Sequence, residues 1–154
     1  MRRFRRFSLA VAVATLGPLS ALADGPLSFF TVTPCRLADT RNPPGANGGP
    51  ALSAGTNRAF SVTGLCGIPS AARAVTLTVT VVQPTGQGRL TLFPTDEATP
   101  ATSTINFSGN DFATATGVVM PISDISGAVS VFTFLAAGGG TVHLVLDVTG
   151  YFAP

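Results

Sequence analysis

The stretch Ala74-Val75-Thr76-Leu77-Thr78-Val79-Thr80-Val81-Val82 alternates apolar and polar side chains from residue 75 to residue 81. Successive side chains of a β-strand point to opposite faces of a sheet, so this alternation predicts a half-buried strand. Residues 83–88 are rich in glycine and proline, and residues 89–93 return to a strand pattern, which predicts a hairpin with a long loop. The threonines form one face, and the other is the predicted core face: Val75, Leu77, Val79 and Val81, joined by Leu90 and Leu92 of the returning strand.

Residues 141–152 alternate in the same way and predict a second long strand. Its apolar face consists of Val142, Leu144, Leu146 and Val148. Shorter strands are predicted at 27–32, 58–62, 103–107, 116–120 and 128–135. Eight or so short strands with almost no helical pattern indicate an all-β fold, a β-sandwich or jelly-roll.

Residues 1–23 have the pattern of a secretory signal peptide. Four arginines precede an apolar run over residues 9–22, and Ala21-Leu22-Ala23 places small residues before a cleavage at Asp24. We therefore expect residues 24–154 to form a single exported β-sandwich domain, located outside the cell or in the periplasm. The pair Arg5-Arg6 leaves open whether the general or the twin-arginine export route is used.

Composition excludes two classes of partner. Four of the nine basic residues lie in the predicted signal peptide, which leaves five arginines and no lysine against seven acidic residues. No basic stripe remains to follow a phosphate backbone, so nucleic-acid binding is not expected. No second apolar run reaches the roughly 18 to 20 residues that a membrane span requires.

Both cysteines, Cys35 and Cys66, lie in the predicted exported domain. An even number of cysteines in an exported chain favours one disulfide, and two buried free thiols are the alternative. The spacing suits no zinc site, because there is no CxxC pair and His143 is the single histidine. We expect no metal and no cofactor.

Five segments, taken in order, resemble a family of secreted bacterial β-domains with a "PxRLxDTR" opening and a "DVxGYF" close. Such domains occur alone or appended to exported enzymes and surface proteins, and the family has no established activity. The resemblance therefore implies an accessory or structural module and transfers no active-site residue. The segments are TPCRLADTR (33–41), CGIP (66–69), VTVVQPT (79–85), STINF (103–107) and LDVTGYF (146–152).

Four charged residues stand out in the opening and closing motifs: Arg36, Asp39, Arg41 and Asp147. Strict alternation along an extended strand predicts that Arg36 points to one face while Asp39 and Arg41 point to the other. Charges within an apolar β-domain are costly unless they are paired. We interpret the four as a structural scaffold that ties the opening segment to the last strand; a ligand clamp is the alternative.

The row Thr76, Thr78 and Thr80 has two interpretations. A flat hydroxyl face is typical of sheets that contact ice or glycans, but threonine is also an ordinary choice for the outer face of a half-exposed strand. We keep the row as a possible ligand face. Aromatic sugar platforms have little support in the sequence, which has no tryptophan and one tyrosine, although Phe29 or Phe30 is a candidate for exposure.

No catalytic constellation is apparent. His143 and Asp147 share a strand face, but four residues at about 3.3 Å each separate them by roughly 13 Å. Asp96-Glu97 lies in a turn, where solvated acids are common. The sequence favours a non-catalytic structural or binding module whose candidate partners are polysaccharide, a cell-envelope component or further copies of itself. The alternative is a small extracellular hydrolase with an acid-based site.

Overall fold

The alternating stretches form the central strands of two antiparallel sheets in the computed structural model, which describes residues 25–154. The predicted signal peptide lies outside the described residues. The first sheet has the order β1-β9-β4-β7, and a short strand β2 pairs with the remaining part of β9. Its strands are β1 (Ser28–Asp39), β2 (Leu52–Ser53), β4 (Ala74–Val82), β7 (Ala113–Pro121) and β9 (Thr141–Ala153).

The second sheet has the order β3-β8-β5-β6. The chain crosses between the sheets at most connections, so it wraps around the core as in a jelly-roll. The predicted hairpin of residues 74–82 and 89–93 is wrong, because the loop between them carries the chain from the first sheet to the second and the two strands do not pair. The described residues contain no helix, which confirms the all-β prediction. The strands of this sheet are β3 (Asn57–Ser61), β5 (Gly88–Pro94), β6 (Ile105–Phe107) and β8 (Ala128–Leu135).

The core lies between the two sheets and is built from the apolar faces that the alternation predicts. The predicted core side chains of β4, β5 and β9 are all at most 4% exposed. Phe60 of β3 and Leu135 of β8 meet them from the second sheet. The core positions predicted from the sequence are Val75, Leu77, Val79, Val81, Leu90, Leu92, Val142, Leu144, Leu146 and Val148.

Strand β1 is longer than the sequence predicts. It was expected to end at residue 32, but it continues to Asp39 because the opening motif pairs with β9. Arg36 lies opposite Asp147 in this ladder, and Asp39 lies opposite Val145. Two register shifts interrupt the pairing, one before Cys35 and one after Arg36. The opening and closing motifs are therefore neighbours in one sheet.

One side of the sandwich, where β1 and β3 form the sheet edges, is closed by covalent and polar links. Cys35 of β1 and Cys66, in the loop after β3, form a disulfide with Cα atoms 5.8 Å apart, which confirms the predicted bridge. The Asn47 side chain donates to the Leu37 and Ser61 carbonyls, and it accepts from the Ser61 N–H. We call this the closed side.

The proline- and glycine-rich loop over residues 42–50 is ordered by Arg58. The guanidinium of Arg58 on β3 is the direct anchor of this loop. It donates to the carbonyls of Gly45, Gly48 and Pro50 at 2.6 to 2.8 Å. A guanidinium suits this task because its planar fork presents several donors at once.

Removing the disulfide should destabilise the closed side. The bridge closes a loop of 31 residues, so the double variant Cys35→Ala/Cys66→Ala should lose about 3 to 4 kcal/mol of unfolding free energy. Denaturant unfolding measures the loss, and reduction of the unaltered protein is the matched control. A loss below about 1 kcal/mol, the size of an ordinary point substitution, would show that Asn47 and Arg58 close this side without the bridge.

Candidate functional site

The outer face of the first sheet, which points away from the second sheet, carries a continuous set of threonines. Thr76, Thr78 and Thr80 on β4 are partly exposed, whereas their neighbours on either side are buried. A register shift in β9 leaves one residue without a partner on β4, and this residue, Thr149, is exposed beside the row. The Thr76 hydroxyl lies 3.0 Å from that of Thr149. We call these four side chains the threonine face.

The edge strand β7 extends this face with small side chains. Val119, Gly117 and Ala115 lie opposite Thr76, Thr78 and Thr80, and all three are exposed. Because these side chains are short or absent, the surface over β4 and β7 is flat. No hydrogen-bond partner for the Thr78 or Thr80 hydroxyl occurs within residues 25–154, so both are available to an external group.

An aromatic ring borders the threonine face. Phe29 of β1 is 49% exposed, and its ring centroid lies 5.0 Å from that of Phe152. A Cβ atom added to Gly150 would lie only 2.5 Å from the Phe29 ring, so the glycine is what allows the ring to lie against the sheet. Gly150 is also opposite Thr76 in the ladder. The sequence indicates Phe29 or Phe30 as a candidate for exposure, and both are exposed, but it does not predict that Phe29 lies beside the threonines.

The four predicted scaffold charges form one linked cluster. Arg36 Nε donates to Asp147 Oδ1 at 2.8 Å, and Arg36 Nη2 donates to Asp147 Oδ2 at 3.3 Å. The same guanidinium reaches Asp39 Oδ2 through Nη1 at 3.1 Å. Arg41 holds the other side of Asp39, with Nε donating at 2.8 Å and Nη2 at 2.6 Å. The carboxylates of Asp39 and Asp147 thus link β1, β9 and Arg41.

The expectation that Arg36 and Asp39 point to opposite faces is wrong. Arg36 pairs with Asp147 and Ala38 pairs with Leu146, so Leu37 is an extra residue in β1. Such a bulge shifts the alternation by one position, which brings Asp39 to the face of Arg36. The single carboxylate of Asp39 can then accept from two arginines at once.

Asp39 is the buried centre of this cluster. Its side chain is 6% exposed, whereas those of Arg36 and Arg41 are 50% and 44% exposed. Hydrogen bonding by the Arg41 side chain holds the pKa of Asp39 far below its ordinary value, and the charge of Arg36 acts in the same direction. The carboxylate is therefore ionised and fully engaged with protein donors. These properties suit a structural tie and do not suit a proton donor.

His143 and Asp147 do not form a catalytic pair. The Thr40 hydroxyl accepts from the Leu144 N–H at 2.8 Å and lies 3.1 Å from His143 Nδ1. Asp147 is engaged by Arg36. Each side chain thus has a separate partner.

Three acids lie around an open depression at one end of the sandwich. Asp96, Glu97 and Asp124 line it together with Arg73, whose Nε lies 3.5 Å from Asp124 Oδ1. The three acidic residues are exposed. Residues 25–154 contain no group of three or more His, Cys, Asp or Glu side chains placed to hold a metal ion.

Comparisons with known proteins assign no family. No protein-family model and no curated protein sequence matches the chain. The solved structure of the tobacco streak virus coat protein is similar at a TM-score of 0.43 and 15% identity, over 88% of this chain and 91% of the viral one. In the part of the chain that the structure describes, no helix has the length and apolar character to span a membrane.

Substitution of Asp39 should change how stability depends on pH. The folded-state pKa lies below the unfolded value of about 3.9, so the stabilisation is present above that pH and is lost as pH falls. Asp39→Asn should therefore differ most from the unaltered protein above about pH 5, and the difference should shrink below about pH 3. Denaturant unfolding across this range tests it, with exposed Asp96→Asn as the control. A difference that does not vary with pH would contradict the role of the Asp39 charge.

Asp147 should contribute less to stability than Asp39. A buried pair would lose 3 to 5 kcal/mol on removal of one partner, as an order of magnitude. The Arg36 and Asp147 side chains are 50% and 31% exposed, so Asp147→Ala should cost about 1 kcal/mol or less. Thermal and denaturant unfolding of Asp147→Ala and Asp39→Ala side by side measure the order. A larger loss for Asp147→Ala would show that this ion pair is the main tie between β1 and β9.

Proposed function

We propose that the protein is an exported, non-catalytic module that binds polysaccharide at the cell surface through the outer face of its first sheet. The observation that carries the proposal is the flat, partly exposed threonine face bordered by the half-exposed ring of Phe29. An aromatic ring packs against the apolar C–H face of a sugar, and hydroxyl groups exchange hydrogen bonds with its rim.

The charge cluster supports binding over catalysis. A hydrolytic acid or base needs a carboxyl group that reaches the substrate and exchanges a proton near the working pH. The carboxylate of Asp39 is enclosed by arginine donors and has a strongly lowered pKa. Asp147 is held by Arg36 at the border of the same face. The cluster therefore fixes the shape of the face and supplies polar groups at its rim.

Export is supported by two independent features. The disulfide between Cys35 and Cys66 is the kind of bond that forms and persists in oxidising compartments. The signal-peptide pattern over residues 1–23 gives the route to such a compartment. The resemblance to secreted bacterial β-domains points the same way. We place the protein outside the cell or in the periplasm.

A small extracellular hydrolase is the second candidate. The depression of about 350 Å3 lined by Asp96, Glu97 and Asp124 is the feature that favours it, because it brings carboxylates together around a concave surface. The exposure of these acids and the proximity of Arg73 to Asp124 count against a site that must exclude water.

Binding should depend on Phe29. We expect the purified protein to be retained by at least one insoluble bacterial polysaccharide, and Phe29→Ala to weaken retention at least about tenfold, as loss of a central aromatic contact does. Thr78→Ala/Thr80→Ala should weaken it as well. Co-sedimentation with a polysaccharide panel, followed by a glycan array, measures the effect.

Phe134→Ala is the matched control, because Phe134 is a 38% exposed phenylalanine on the second sheet. Its loss should leave retention unchanged. Retention that depends on Phe134 and not on Phe29 would place the site on the second sheet and contradict the proposal. Release of soluble sugar that stops with Asp96→Asn/Asp124→Asn would establish the hydrolase and overturn the proposal.

A further inference from the structure

The two sides of the sandwich differ in how their sheet edges are protected. Exposed edges pair readily with other chains, and proteins usually protect them with bulges, charges, prolines, short strands or covering loops. On the closed side, β1 carries Pro34, Arg36 and two register shifts, and Asn47 covers it. On the opposite side, β6 has only three residues. Strand β7 has none of these protections along most of its length.

Strand β7 is a nine-residue edge without a charge or a bulge. Its sequence is ATATGVVMP, and all nine residues pair with β4 in one continuous register. Proline occurs only at its last position, Pro121. No strand among the described residues pairs with its other edge. Val119 is 60% exposed on this strand. Among the sheet edges within residues 25–154, β7 is therefore the one long edge strand whose outward backbone groups remain open to pairing.

The backbone groups on the open edge follow from the ladder. The Gln83 N–H donates to the Phe112 carbonyl at 3.1 Å, and the Ile122 N–H donates to the Arg73 carbonyl at 3.0 Å. Hydrogen-bonded positions alternate along an antiparallel pair, so the even-numbered residues of β7 bond to β4. The odd-numbered residues direct their N–H and C=O groups outward. They are Ala113, Ala115, Gly117 and Val119, together with the carbonyl of Pro121.

We propose that β7 is a self-association edge, on which the β7 strand of a second copy of this chain pairs antiparallel about a two-fold axis at Gly117. A two-fold contact requires a surface that complements itself. Centring on Gly117 places Ala115 opposite Val119 of the second copy, and Ala113 opposite Pro121 of the second copy. Pro121, which has no N–H, then lies at each end of the ladder between the copies, so one hydrogen bond is lost at each end.

The side chains fit this pairing. Gly117 meets Gly117 of the second copy at the axis, and a Cβ atom there would contact nothing within 4 Å on its own chain. Ala115 lies across from Val119, so an exposed apolar side chain gains a small apolar neighbour. The pairing forms about eight hydrogen bonds between copies. No charge on either strand opposes it, which is the reason to choose a second copy over a charged partner.

Pairing at β7 would join the first sheet of one copy to the first sheet of the other, so that the two form one continuous sheet. The threonine faces of both copies would then lie on the same side, since each is on the outer face of its own first sheet. A repeated ligand that reaches both faces would bind with increased avidity. This consequence depends on the proposed function, whereas the self-association depends only on the edge.

Sedimentation equilibrium across micromolar to millimolar concentrations tests the edge. We expect a monomer–dimer equilibrium, and Gly117→Lys should raise its dissociation constant at least about tenfold, because two lysines would face each other at the axis. Gly117→Ala should retain the dimer, since its Cβ has room. Ala59→Lys, on the β3 edge of the closed side, is the matched control and should leave the equilibrium unchanged. Circular dichroism and peptide mapping of the native disulfide confirm that each variant is folded.

A crosslink tests the register. Directly opposed Cα atoms in a hydrogen-bonded antiparallel pair are about 5.5 Å apart, within the range of a disulfide. Gly117→Cys should therefore form a covalent dimer under mild oxidation, whereas Ala59→Cys should remain monomeric. The proposal is overturned by a protein that stays monomeric throughout the concentration range. It is also overturned by a dimer that Ala59→Lys disrupts and Gly117→Lys does not, or by equal crosslinking at both positions.

Discussion

The position of β9 between β1 and β4 is the constraint on which the rest of the structure depends. Its core face is fully buried, and its outer face carries His143 and Asp147, which meet partners from β1 and the residue after it. Pairing on both edges satisfies its backbone groups, while burial of the apolar face gives the larger share of stability. The bulges on either side of this strand then set which side chains reach the outer face. The charge cluster and the threonine face are both consequences of that register.

The sequence predicts the features of this fold that depend on local alternation. Most of the strands, their buried faces and the disulfide follow from period-two patterning and from the cysteine count. What alternation cannot show is where it breaks, because the bulges at Leu37 and Thr149 arise from pairing with distant strands. The same reason hides the anchoring of the glycine-rich loop by Arg58 and the packing of Phe29 on Gly150. These contacts join residues that are far apart in the chain, so no local window contains them.

The two sheets give the molecule surfaces of different character. Charges on the first sheet are paired within the protein, and the outer face beside them carries partly exposed threonines. The closed side is fixed by a disulfide and by hydrogen bonds to loop carbonyls. The opposite side ends in the uncharged edge of β7. Together these surfaces suit a module that binds an extended partner and self-associates. They give little support to a reaction that needs an enclosed acid or base.

Amide chemical shifts of the isotope-labelled protein, followed during titration with soluble oligosaccharides, test this account most directly. Binding at the threonine face should give shifts confined to the outer face, at Thr76, Thr78, Thr149 and the strand around Phe29, with the sugar signals unchanged over time. Shifts centred on Asp96 and Asp124, accompanied by new sugar signals from cleaved product, would contradict it. That result would place the function in the acidic depression and make the protein a hydrolase.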